Sequence, residues 1–93
     1  MLKQKSCARL ENWAVVPSAH CASYQELRAG NLLVGRVFGH PRIQEGAFVF
    51  TSPIVALDAN AKFVETRNTA YCLGEASSDY SKWTAEQASG AAA

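Results

Sequence analysis

The chain has 93 residues, 48% of them hydrophobic and 18% charged, which suits one small globular domain and excludes a disordered or collagen-like polymer. Nine Lys and Arg against eight Asp and Glu leave a formal charge of +1, so a nucleic-acid surface would have to be a local patch. Three cysteines, Cys7, Cys21 and Cys72, cannot all pair within one chain, and no two stand at metal-finger spacing. They read as reduced thiols used as small hydrophobes.

Residues 1–16 carry charges throughout and lack the apolar run of a signal peptide, and no stretch reaches the ~20 apolar residues of a membrane helix. A soluble, cytoplasmic chain is expected: a single domain over 1–93, with poorly ordered ends at 1–9 and 88–93. Residues 10–17, apolar around Trp13, Val15 and Val16, read as a short first strand that stops at Pro17. Ser23-Tyr24-Gln25-Glu26 is a capping-box pattern, and Gly30 stands where a left-handed helix cap is needed. A short helix is expected between them, starting at Ser23 or as early as Ser18 and leaning on a sheet.

From Asn31 the pattern changes to alternation. Leu32, Val34, Arg36 and Phe38 point one way and Leu33 and Val37 the other, while Gly35 and Gly39 mark a bend, a bulge or a close backbone approach. After the His40-Pro41 loop, residues 47–57 alternate again. Pro53 divides them into two strands or one sharply cornered strand, with Thr51 and Ser52 bonding to the kinked backbone. Asp58-Ala59-Asn60-Ala61 is a turn. Residues 63–66 and 69–73 make a hairpin around Arg67-Asn68, placing Val64 opposite Tyr71 and Glu65 opposite Ala70. Ser77-Ser78-Asp79 starts a C-terminal helix whose Tyr80 and Trp83 share a face and plug one end of the sheet. The expected fold is α+β: a small, strongly curved antiparallel sheet or partly open barrel of 4–5 strands, with a short helix before it and a C-terminal helix. A flat meander backed by both helices is the alternative.

His40, followed by Pro41 and Arg42 at a strand end, is the first residue to weigh for chemistry. A general base needs an orienting acid or a nucleophile beside it, and only Glu45 is near in sequence, so the ring is expected to donate to a backbone carbonyl and fix the turn. His20-Cys21 with Cys7 or Cys72 would have to be assembled by the fold, since adjacent helical residues diverge. No serine-nucleophile elbow, phosphate-cradling glycine loop or carboxylate pair is present. Arg36, Arg42 and Arg67 with Tyr71, Trp13 and Phe38 are the residues from which a stacking, phosphate-binding surface could be built. Arg36, His40, Arg42, Arg67 and Tyr71 are accordingly the binding candidates. No catalytic residue, metal ligand or cofactor is assigned.

One pattern spans about half the chain. It comprises Gly35-Arg36-Val37-Phe38-Gly39-His40-Pro41, then Gly46 and Phe48, then Thr51-Ser52-Pro53-Ile54-Val55, and finally residues 64–74 from Val64-Glu65-Thr66-Arg67 to Leu73-Gly74. It resembles small uncharacterised bacterial proteins, some carried on mobile integron gene cassettes. The resemblance implies a compact sheet-based domain in a bacterial cytoplasm and an accessory binding role, and it assigns no functional residue. The expected function is a non-enzymatic interaction or ligand-binding accessory module that self-associates as a homo-oligomer, a dimer. The motive is a surplus of apolar residues on both strand faces. A single-stranded nucleic-acid binder using the arginine–aromatic residues is the alternative, and a small hydrolase or thiol enzyme on His40 or Cys21 stands third.

Overall fold

The computed structural model describes residues 7–20 and 23–92, with side chains up to residue 87. Its elements in chain order are β1 (Ala8–Val16), β2 (Leu32–Phe38), β3 (Ala47–Phe50), β4 (Ile54–Asp58), β5 (Phe63–Thr66), β6 (Ala70–Leu73) and α1 (Ser78–Ala92). The six strands form one sheet in the order β3-β2-β1-β6-β5-β4. All neighbours are antiparallel except β1 and β6, where Ala8, Leu10 and Arg9 run parallel to Tyr71, Leu73 and Cys72.

This corrects the expected fold on three counts. The sheet has six strands rather than four or five, it is mixed rather than antiparallel, and it is not closed. The reason is β1. Its Ala8 and Leu10 are buried, so the segment serves as a central strand between β2 and β6 rather than as a short flanking piece. The helix expected before Gly30 is also absent among the described residues, and Cys21 lies outside them. Instead the Gln25 N–H donates to Val15 O at 2.8 Å, continuing the edge of β1, and the Glu26 carboxylate accepts from Arg28. So short a helix gains little from its own hydrogen bonds, and tertiary partners win.

Opposite Gly35, β1 carries a bulge: Asn12 takes a left-handed φ of 55°, and the pairing with β2 shifts between Glu11 and Ala14. A Cβ on Gly35 would lie 2.9 Å from Glu11 O and 3.0 Å from Trp13 Cα, so glycine here answers to a close backbone approach. The bulge turns the Asn12 and Trp13 N–H groups toward Glu75 O, and Ser77 N–H donates to Trp13 O. That seats the start of α1. Ser77 Oγ caps the helix by accepting from Tyr80 N–H at 3.0 Å. Tyr80 is buried, stacks on Trp83 at 5.6 Å, meets Tyr24 edge-on at 5.4 Å, and donates its hydroxyl to Gln25 O at 2.6 Å. Burial, aided by the negative charge of Glu26, pushes its phenol up to about 12.

The core is the inner face of the sheet: Leu10, Val15, Leu33, Val37 and Val64 are fully buried, with Ile54, Tyr71 and Leu73 beside them. Residues 51–53 alone join β3 to β4, the two edge strands. A flat six-stranded sheet would hold its edges about 24 Å apart, farther than so short a link reaches. The sheet therefore bends until Ile54 exchanges backbone hydrogen bonds with Gly30 and Asn31, just ahead of β2. On the outer face Cys7 and Cys72 form a disulfide with their Cα atoms 6.0 Å apart. This corrects the expectation of reduced thiols for that pair: the parallel β1–β6 pairing brings the two cysteines within bridging distance.

Candidate functional site

The bend leaves a cleft of about 1020 Å³ between the loop after β2, the end of β3 and the β5–β6 hairpin. Each wall is a turn stiffened by its own hydrogen bonds. In the 39–46 loop, Gly39 and Gly46 take positive φ of 78° and 79°, which lets the chain reverse on either side of His40-Pro41. The Glu45 carboxylate accepts from Gly39 N–H at 2.5 Å, and Arg36 donates to Gly46 O at 3.0 Å. At the hairpin tip, Thr66 Oγ1 donates to Thr69 O and accepts from Thr69 N–H, so Arg67 and Asn68 are held at the apex. The tip docks on the β3–β4 link, with Arg67 N–H on Pro53 O at 3.1 Å and Asn68 N–H on Ser52 Oγ at 3.2 Å.

His40 sits where the walls meet. Its Nδ1 accepts from Arg42 N–H at 3.0 Å, and its Nε2 lies 3.4 Å from Thr69 Oγ1 on the opposite wall. The ring was expected to donate to a backbone carbonyl; it accepts from a backbone N–H instead, which places the proton of the neutral ring on Nε2. Glu45, the only acid near His40 in sequence, is engaged with Gly39 rather than with the ring. His40 is thus built as a brace and as a single donor toward Thr69.

Of the five binding candidates, His40, Arg42, Arg67 and Tyr71 line this one cleft. Arg36 does not: it lies opposite Glu11 and Phe48 on the outer face, held to Gly46 O. Tyr71 forms part of the floor and is only 4% exposed. Burial raises its phenol pKa, opposed by a hydrogen bond with Thr69. Among the described residues neither Arg42 nor Arg67 has an acidic partner, although Glu65 also lines the cleft. The broader arginine–aromatic surface is not assembled. Trp13 donates its Nε1–H to Gly74 O and packs on Tyr80, away from the cleft.

Sequence reasoning missed Thr69, Asn68, Phe50 and Phe63 as cleft residues. Only the hairpin apex carried a signal, since Arg67-Asn68 had to stand at a turn; the rest arrive through the bend of the sheet. Thr51-Ser52 behaves as expected beside Pro53: Thr51 Oγ1 accepts from Leu33 N–H at 3.0 Å and donates to Ser52 O at 2.8 Å. His20 makes a local bond, its N–H donating to Ser18 Oγ, and no group of three metal-ligating side chains is present among the described residues. No helix among them is long and apolar enough to cross a membrane. A scan against protein-family models, a search of curated proteins and a search of solved structures each return no match.

Proposed function

We propose that the chain is a non-enzymatic accessory binding module whose cleft takes a small anionic ligand bearing a carboxylate or phosphate. The observation that carries this is that two arginines line one cleft from opposite walls, Arg42 on one and Arg67 on the other, and that neither has an acidic partner among the described residues. Charge-assisted bonds from arginine suit planar or tetrahedral oxyanions. Asn68, Ser52 and Thr69 add neutral polar groups, and Phe50 and Phe63 offer apolar surface beside them. The bracing of His40 by Arg42 N–H supports a positioning role for its ring over a proton-transfer role. An accessory role also fits the resemblance to bacterial cassette proteins. In the cytoplasm, the Cys7–Cys72 bond would have to be harder to reduce than the glutathione pool.

Calorimetric titration with inorganic phosphate, citrate and a nucleoside monophosphate tests the reading. At least one should bind, more weakly as salt rises. Arg42→Ala and Arg67→Ala should each weaken it by about tenfold or more, the scale of a lost hydrogen bond to a charged group. No heat with any of the three, or affinity unchanged in the double variant, removes the anion site.

A further inference from the structure

The outer face holds a second feature, which shares Phe50 with the cleft. β3 is an edge strand, and Phe48 and Phe50 on it are 54% and 50% exposed, their rings in edge-to-face contact at 5.8 Å. Thr51 N–H donates to Leu33 O, so Thr51 turns its backbone toward β2. By antiparallel alternation Val49 does the same opposite Gly35, and Phe48 and Phe50 direct their N–H and C=O groups to the open edge. The strand reads Ala-Phe-Val-Phe, with no charge or proline to discourage pairing. The opposite edge differs: β4 follows Pro53 and ends on Asp58.

We propose that β3 is a self-association edge, where a second copy of this chain adds its own β3 antiparallel about a two-fold axis at Val49. In that register Phe48 of one copy and Phe50 of the other exchange both backbone hydrogen bonds, and the reverse pair does the same. The two residues that face outward are therefore the two that satisfy each other. All four phenylalanines then share the outer face as directly opposed cross-strand pairs. A formal charge of +1 and an uncharged strand oppose this contact with little repulsion. A single nucleic-acid strand is the weaker occupant, because the neighbouring guanidiniums are engaged: Arg9 with Glu11 at 2.7 Å and Arg36 with Gly46 O. Phe50 also lines the cleft whereas Phe48 does not, so substitutions at Phe48 test the contact between copies without altering a cleft residue.

Sedimentation equilibrium of the full chain, from about 5 to about 500 µM, a range in which weak protomer contacts titrate, should show the mass rise from monomer to dimer. Phe48→Pro removes an outward N–H that β2 does not use, and edge strands tolerate proline at such positions. Phe48→Lys keeps that donor but sets like charges into the contact. Both should stay monomeric, with a urea unfolding midpoint close to that of the monomeric parent chain as the sign of an intact fold, while Val55→Lys on β4 should dimerise like the parent chain. A parent chain that is monomeric at the highest concentration overturns the proposal. So does a dimer that survives Phe48→Lys, or a monomer that binds oligothymidylate through Phe48 in a salt-sensitive way.

Discussion

The two faces of β2 and β3 treat apolar residues in opposite ways. Inside, Leu33 and Val37 are fully buried; outside, the larger Phe48 and Phe50 stand half in water. Side-chain size does not decide burial here. The inner face closes on itself because the sheet bends, whereas α1, the only helix among the described residues, packs against β1 around Trp13 and Tyr80 and leaves β3 uncovered. Stability is thus concentrated on one face, and free surface on the other. What holds the outer face is a covalent tie between Cys7 and Cys72, together with the Arg9–Glu11 ion pair and Arg9 lying 5.2 Å over the Phe38 ring.

The largest test of that division is reduction of the disulfide. Its ends are 65 residues apart, and closing a loop of that length removes unfolded-state entropy worth about 4 kcal/mol in the chain-entropy model. Urea unfolding with and without reductant should show a loss of that order. An unmoved midpoint would mean that the outer face does not depend on the bond.

Next in size is a paired substitution across the two faces. Leu33→Ala should cost about 3 kcal/mol, as buried leucine truncations do. Phe48→Ala, measured at a concentration where the chain is monomeric, should stay within about 0.5 kcal/mol. Equal losses would erase the distinction between the faces.

The smallest effect is confined to alkaline pH and probes the end of the sheet that the helix does cover. Tyr80 is raised from 10.0 to about 12, so its folded form holds the proton more tightly than the unfolded chain does. The stabilisation is fully present below pH 10 and declines as pH rises from there through about 12. Tyr71, raised by its own burial, adds to the same slope. Tyr80→Phe should reduce the decline, read from unfolding midpoints between pH 8 and pH 12, and an unchanged slope would place the titration elsewhere.

Legibility followed locality. The β5–β6 hairpin has the register read from its residues, with Val64 opposite Tyr71 and Glu65 opposite Ala70. Asp58 Oδ1 accepts from Asn60 and Ala61 N–H groups in the expected turn, and Ser77 caps α1. The helix ahead of Gly30 was misread because its local signals were outweighed: Tyr24 is drawn to Tyr80 and Gln25 to Val15, partners that no window around Ser23 contains. For the cleft, the candidate residue types were visible, but their meeting was not. Arg42 and Arg67 belong to separate turns, and His40 reaches Thr69 only after the sheet bends.

Residue order alone determined the strand alternation, the turns at Asp58 and Arg67-Asn68 and the cap at Ser77. Each is an interaction among near neighbours, and its free energy belongs to a few residues. Tertiary structure decided that β1 lies parallel to β6, which face of each strand is dry, which cysteines meet and that Arg42 and Arg67 line one cleft. Those outcomes join distant segments, whose closure entropy is offset only by the summed burial of the whole sheet, so no single stretch of sequence carries them.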